Sequence, residues 1–263
     1  MRFYLGTHQP HWLATSDVPL FVSRRRLAGR RSLPRARVPW ALDSGGFTEI
    51  AMHGRWTVPA AQYAAEVRRY RDEIGRMEWA APQDWMCEPW MLARTGLSVA
   101  EHQRRTVDNL LELRALAPDL PWVPVLQGWA LGDYLRHVEM YDRAGVDLRA
   151  EPLVGLGSVC RRQGMAEAER IVRALAALGI RLHGFGFKLS GIARCADALA
   201  SADSMAWSYA ARSESPLPGC RHSNCANCWR YARRWYGRVE AAVSAPRQLR
   251  LDLDSEHARA EAR

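Results

Sequence analysis

The strongest chemical signal in the chain is a group of three cysteines and one histidine within nine residues. Cys220, His222, Cys225 and Cys228 follow the spacing C-x-H-x2-C-x2-C. Thiolates and imidazole are preferred ligands of Zn²⁺, and four of them complete a tetrahedral shell with no position open for a reactant. The spacing therefore predicts a structural zinc site. Replacement of one ligand by a distant histidine such as His53 stays open at this stage.

Three aspartates beside predicted strands could carry acid–base or nucleophilic chemistry. Asp43 follows the predicted strand Val38–Leu42 and precedes two glycines, which let a flat ligand approach the backbone. Asp84, after Met77–Ala80, offers two adjacent acceptors that suit the N–H edge of a guanine-like base. With Asp203 as a second carboxylate in one pocket, a nucleophile and a general acid/base could cleave a glycosidic bond. Each aspartate could instead simply cap a turn or a helix.

An amide and several glycines follow other predicted strands. Gln127 stands after Trp122–Leu126 and could read a polar base edge, whereas Gly155 and Gly157 could expose peptide groups to a ligand. Glycine is common after a barrel strand, so the second signal is weak by itself. His183–Gly186 is predicted to be a plain strand end.

Strands alternating with helices must position these residues. The predicted strands are Val38–Leu42, Met77–Ala80, Trp122–Leu126, Leu153–Leu156, Arg181–Phe185 and Ser204–Trp207. The predicted helices are Ala60–Ile74, Ser98–Leu116 with a Ser98-x-x-Glu101 capping box, Leu131–Ala144 and Met165–Leu178. This alternation predicts parallel βα units, and their number favours a (β/α)8 barrel, since no dinucleotide or P-loop signature supports an open sheet. In such a barrel, chemistry gathers at the carboxyl ends of the strands.

We therefore expect an α/β fold, a TIM-type (β/α)8 barrel with a C-terminal zinc knuckle. The barrel should occupy residues 1–215, the knuckle and a helix packed on the barrel residues 216–243, and a flexible tail residues 244–263. The six cysteines, three of them at 220–228, indicate metal binding more than disulfides. With no leader-like segment and no apolar run of about 20 residues, we expect a cytoplasmic protein without a membrane span.

The charge of the chain favours a polyanionic partner. The net charge is +9, almost all of it from arginine, because Lys188 is the only lysine. A genome that encodes arginine in place of lysine explains that choice but not the excess over acidic residues. Arg24–Arg37 holds seven arginines and no acid, and Trp229–Trp235 is a second basic, aromatic run. Arginine suits phosphate groups, so the predicted nucleic-acid contacts are Arg24, Arg25, Arg26, Arg30, Arg31, Arg233 and Arg234.

In this order, the motifs resemble the tRNA-guanine transglycosylase superfamily. The similar segments are Asp43–Phe47 for its general acid/base loop, Asp84 with Cys87 for its base-recognition loop, Gln127-Gly128 and Gly155-Leu156-Gly157 for its base-holding segments, and Asp203-Ser204 for an archaeal-style nucleophile segment. The resemblance spans Val38 to Cys228, and the set is far more specific than any single motif.

Departures from the tRNA enzymes indicate a branch of that superfamily. His222 stands where those enzymes have a cysteine, and Cys228 takes the place of their distant histidine. The chain is shorter than a typical bacterial tRNA enzyme, and we expect no PUA-type RNA-binding domain in it. These features are more like the 7-deazapurine DNA transglycosylases, the DpdA family of phages and bacterial islands. The opening Gly6–Trp12 and the segment SMAWSY also resemble that branch.

The resemblance implies that guanine in DNA is exchanged for a 7-deazaguanine base such as preQ0. Asp203 would be the nucleophile that forms a covalent sugar intermediate, and Asp43 the general acid/base. The base would be held by Asp84, Gln127, Gly155, Leu156, Gly157, Ser44 and Gly45. Zinc would be the structural cofactor, with DNA and the free base as partners and a helicase or ATPase as a possible protein partner.

Other functions stay open from the sequence. The exchange could act on tRNA, the barrel could be a non-catalytic zinc-stabilised nucleic-acid-binding protein, or the two carboxylates could serve a hydrolytic glycosidase. The substituent of the incoming base and the oligomeric state are not readable from the residues.

Overall fold

A computed structural model describes residues 1–159 and 166–245. The first residue of the predicted helix Met165–Leu178 and residues 246–263 of the predicted tail lie outside the described residues. Within them, eight strands alternate with helices along the chain. The strands are β1 Arg2–Thr7, β2 Leu20–Ser23, β3 Trp40–Asp43, β4 Met77–Ala80, β5 Val125–Leu126, β6 Val154–Leu156, β7 Leu182–Gly184 and β8 Ser201–Ser204.

All eight strands run parallel in one curled sheet. Their order is β4-β3-β2-β1-β8-β7-β6-β5, so the first and last strands of the chain are neighbours. A parallel bridge from Ala80 to Trp122 connects β4 to the segment before β5. This bridge joins the two edges of the sheet, and the fold is the predicted (β/α)8 barrel.

Ten helices among the described residues surround or follow the strands. They are α1 Arg24–Leu27, α2 Gly46–His53, α3 Ala60–Ile74, α4 Pro89–Thr95, α5 Val99–Leu116, α6 Leu131–Arg143, α7 Ala166–Ala177, α8 Leu189–Cys195, α9 Ala206–Ser213 and α10 Trp229–Ser244. The hydrophobic period predicted α3 to the residue. The predicted cap of α5 is present, because the Ser98 hydroxyl accepts a hydrogen bond from the Glu101 N–H. None of the described helices is both long and apolar enough to cross a membrane.

The sequence interpretation was wrong at three strands. It did not identify β1 or β2, and it placed the last strand at Ser204–Trp207. The chain instead forms β8 at Ser201–Ser204 and turns into α9 at Ala206. This correction matters because Asp203 lies inside a strand, where it is buried, and does not cap a helix.

The barrel interior and the C-terminal helix complete the core. Aromatic rings fill the interior, among them Tyr4, Phe21 and Trp79. Outside the barrel, α10 buries Tyr231 and Trp235 in the same core cluster as the strands. The C-terminal segment is therefore packed directly on the barrel wall.

Candidate active site and metal cluster

A cleft of about 640 Å³ opens at the carboxyl ends of the strands. Every strand, or the loop after it, contributes to its wall. In strand order the contributions are Thr7, Ser23, Asp43, Asp84, Gln127, Gly157 with Ser158, Phe185 with Gly186, and Asp203. The parallel barrel thus brings together three aspartates that are far apart in the sequence, at the end of the fold where barrel enzymes hold their reacting groups.

Asp43 and Asp203 face this cleft from β3 and β8. Burial raises the pKa of Asp43, and the charge of Asp203 raises it further, whereas hydrogen bonds from the Gly45 N–H and the Ser23 hydroxyl oppose the shift. Asp203 is almost fully buried, and its Oδ1 accepts a hydrogen bond of 2.9 Å from the Gly186 N–H. Asp43 is therefore disposed to hold a proton, whereas a backbone hydrogen bond fixes the neighbouring Asp203 in place.

Asp84 is held by two side chains. The Gln127 amide donates to its Oδ2 at 2.6 Å and the Ser44 hydroxyl to its Oδ1 at 3.2 Å. Burial, together with the charge of Asp43, raises the pKa of Asp84 to about 7. Gly157 leaves room for the Gln127 amide in this position, because a Cβ on residue 157 would lie 2.3 Å from the amide nitrogen.

Two further polar groups extend this network, and sequence reasoning missed both. The Ser158 hydroxyl lies 2.7 Å from Gln127 Oε1 and 2.9 Å from Glu88 Oε2, and it accepts a 2.8 Å hydrogen bond from the Cys87 N–H. One hydroxyl proton serves only one of the two acceptors at a time. Ser158 also has a left-handed φ of 57°, which is uncommon outside glycine and clusters at functional sites.

Four predicted base-binding residues do not line the cleft, and one of them, Ser44, reaches the site only through its hydrogen bond to Asp84. Leu156 points into the hydrophobic core. Gly155 lies beneath Phe185, whose ring a Cβ would meet at 2.5 Å. Gly45 has a φ of 83° and is the N-cap residue before α2, so its role is to let the chain turn next to Asp43.

The four predicted metal ligands form a cluster outside the cleft. Their donor atoms, in Cys220, His222, Cys225 and Cys228, all lie within 4.8 Å of one another. The Cys220 and Cys228 sulfurs are 3.9 Å apart, close to the roughly 3.8 Å edge of a tetrahedron with 2.3 Å zinc–sulfur bonds. The donor set and its spacing fit a metal ion with no protein position left open.

Comparison with known proteins agrees with the motifs and the barrel. The sequence model for DpdA, described as DeoxyPurine in DNA protein A, matches residues 1–261. The chain belongs to the DpdA family. Membership supports a DNA-modifying transglycosylase role in general terms, as the resemblance implied. None of the curated proteins compared with the chain gives a match.

The three consecutive arginines that open the basic run of this DpdA chain differ in their surroundings. Arg25 and Arg26 line the cleft. Arg24, by contrast, is buried and binds Glu66 through two hydrogen bonds of 2.6 and 3.0 Å. Its guanidinium is already neutralised inside the protein, so we withdraw Arg24 from the predicted nucleic-acid contacts.

The other predicted basic contacts lie away from the cleft wall. Arg233 on α10 pairs with Asp17 at 3.0 Å. Asp17 shortly precedes β2, at the amino end of the strands, so this charge lies towards the end of the barrel opposite the cleft. The remaining three, Arg30, Arg31 and Arg234, are exposed.

Proposed function

We propose that this DpdA chain exchanges guanine in DNA for a 7-deazaguanine base through a covalent aspartyl–sugar intermediate. The observation that carries the proposal is the convergence of Asp43, Asp84 and Asp203 in one cleft at the carboxyl ends of three strands. Together with DpdA membership, it supports a base-exchange reaction that needs a recognition group, an acid/base and a nucleophile.

Recognition of the base is assigned to the Asp84 network. An ionised Asp84 can accept hydrogen bonds from N1–H and the exocyclic amine of guanine, while Gln127 and Ser158 present polar groups beside it. Since C1′ cannot be reached inside a duplex, the target nucleotide has to leave the base stack before it enters the cleft.

The chemistry follows from the two remaining carboxyl groups. An Asp203 oxygen bonds to C1′ as the bond from C1′ to N9 breaks, and the departing guanine takes a proton from Asp43. The incoming 7-deazaguanine then gives its N9 proton to Asp43, and N9 bonds to C1′ as the Asp203 oxygen leaves. Atoms and charges balance, so no redox or nucleotide cofactor is consumed.

The metal cluster is assigned a structural role with Zn²⁺. Three thiolates and an imidazole are typical of closed zinc sites, and the cluster lies outside the cleft. Zinc would stabilise the C-terminal segment and leave the reaction to the aspartates.

Labelled base incorporation tests the function. The purified protein is incubated with labelled guanine or 7-cyano-7-deazaguanine and with either DNA or tRNA. We expect label in DNA only, both when the DNA is single-stranded and when a helicase opens the duplex. Label in tRNA alone would establish the tRNA alternative. Release of guanine without incorporation would indicate a hydrolase, and binding without either reaction a non-catalytic protein.

Asp84→Asn should strongly weaken guanine binding and yet stabilise the fold. The pKa of Asp84 is raised in the folded state, so its contribution to stability is present at low pH and is lost as pH rises towards 7. Each pKa unit corresponds to about 1.4 kcal/mol. At pH 8 the free energy of unfolding of Asp84→Asn should therefore exceed that of the wild type by about 4 kcal/mol at most. Thermal unfolding at pH 5 and pH 8 measures the difference.

The protonation of Asp84 should also determine how base binding depends on pH. Guanine affinity of the wild-type protein should fall by up to tenfold per unit below about pH 7, where Asp84 takes up a proton. The Asp84→Asn variant should bind weakly and without this slope. A wild-type affinity that is flat from pH 5 to 8 would remove Asp84 from base recognition.

Arg26→Ala should weaken DNA binding by removing one phosphate contact at the cleft. The slope of log K against log salt should decrease in magnitude by about 0.7–0.9 for each lost contact. Arg143→Ala, at the exposed C-terminal end of α6, changes the net charge equally and is the matched control. Equal effects of the two variants would assign the loss to net charge alone.

A further inference from the structure

His183 is a buried histidine that the mechanism above does not use. It lies in β7 with no exposure to solvent, and its Nε2 is 3.3 Å from Asp203 Oδ1. Its other ring nitrogen, Nδ1, is 2.8 Å from the Ser201 hydroxyl. His183 and Ser201 are paired in the register of β7 and β8, so the sheet itself sets this arrangement.

Aromatic neighbours hold the imidazole ring in its orientation. Four ring centroids lie within 6.0 Å of the His183 centroid, at 4.6 Å for Trp79, 4.9 Å for Phe185, 5.7 Å for Phe21 and 6.0 Å for Tyr4. A ring enclosed on several sides in a close-packed interior cannot turn its nitrogens elsewhere. The direction of Nε2 towards Asp203 is therefore fixed by packing.

Ser201 selects the tautomer of this histidine. When the Ser201 hydroxyl donates to Nδ1, the neutral ring carries its proton on Nε2 and donates it to Asp203. In the other tautomer, the Nε2 lone pair would face a carboxylate oxygen without a proton between them, which is repulsive. One neutral tautomer thus satisfies both contacts.

We propose that His183 is a positioning residue for the nucleophile, an inference that rests on the proposed function of Asp203. The His183 Nε2–H and the Gly186 N–H bind the same oxygen, Oδ1. They fix the plane of the carboxylate and leave Oδ2 to form the bond with C1′. His183 does not touch the substrate; it acts by lowering the reorganisation that attack would require.

Two substitutions at this position separate positioning from packing. His183→Phe keeps an aromatic ring but removes the N–H, and kcat for base exchange should fall about 30- to 100-fold while KM for DNA changes less than threefold. His183→Gln carries an amide N–H that can reach Oδ1. Its kcat should therefore be at least tenfold higher than that of His183→Phe. Tyr4→Phe keeps the ring in the same aromatic cluster and removes only a hydroxyl that binds Glu78, so it should stay within threefold of wild type.

The result that overturns the proposal is equally specific. A folded His183→Phe protein with wild-type kcat, or Phe and Gln variants that lose activity in proportion to their melting temperatures, would reduce His183 to a core residue. If the wild-type protein exchanges no base, the proposed function fails, and a second measurement still decides the His183–Asp203 bond. Histidine-selective ¹⁵N NMR, assigned with His183→Gln, should show the Nε2–H tautomer; an Nδ1–H tautomer in the wild type contradicts the bond.

Discussion

Asp203→Asn is expected to abolish base exchange, by a factor on the order of 10⁴ or more, while the fold and base binding remain intact. Asparagine has the same shape, and its Oδ1 can still accept the hydrogen bond from the Gly186 N–H. An amide oxygen is a far weaker nucleophile than a carboxylate, so the bond to C1′ should not form. The measurement is the DNA–protein adduct by intact mass, beside the rate of labelled-base incorporation.

Asp43→Asn provides the comparison that separates the two carboxyl groups. Without a proton on Asp43 the departure of guanine should slow, about 10²- to 10⁴-fold, but the adduct should still accumulate at long times because Asp203 is present. If Asp43→Asn loses the adduct and Asp203→Asn keeps it, the roles are reversed. Adduct formation by both variants would place the nucleophile elsewhere in the cleft.

The parts of this fold that could be predicted from the sequence are those with a long or repeated local signal. The fifteen-residue α3 was predicted exactly, because Tyr63, Val67 and Ile74 recur at helical spacing on a buried face. In contrast, β2 is four residues long and leads straight into the arginine run, so no alternation marks it. Motif spacing likewise predicted which four residues form the cluster that could hold a metal ion, since they are local in the chain.

The parts of the site that the sequence analysis did not predict depend on contacts between distant residues, which no local pattern encodes. His183 looks like an ordinary strand end in the sequence, and only the pairing of β7 with β8 places it against Asp203. Glu88 and Ser158 meet across 70 residues of chain. The burial of Arg24 was hidden for the same reason, because its partner Glu66 lies on another helix, 42 residues away.

Cys225→Ser should release the metal and destabilise the C-terminal part of the fold. Cys225 is buried and its sulfur lies 3.1 Å from His222 Nε2, so its loss opens the ligand shell. Loss of a metal ligand belongs to the class of substitutions that cost about 4 kcal/mol or more. For a chain of this size that corresponds to a melting temperature lower by roughly 8–16 °C, measured together with zinc content by mass spectrometry.

The same substitution should also reduce base exchange, although the cluster of Cys220, His222, Cys225 and Cys228 lies outside the cleft. The Ser208 hydroxyl on α9 donates a 2.7 Å hydrogen bond to the carbonyl of Ala226, between two of the ligands. Since α9 follows β8 after one residue, a loosened cluster should disturb the strand that carries Asp203. Cys195→Ser, at a buried cysteine of α8 outside the cluster, is the matched control and should retain its zinc. Full activity and an unchanged melting temperature in metal-free Cys225→Ser would show that the barrel holds its active site without the cluster.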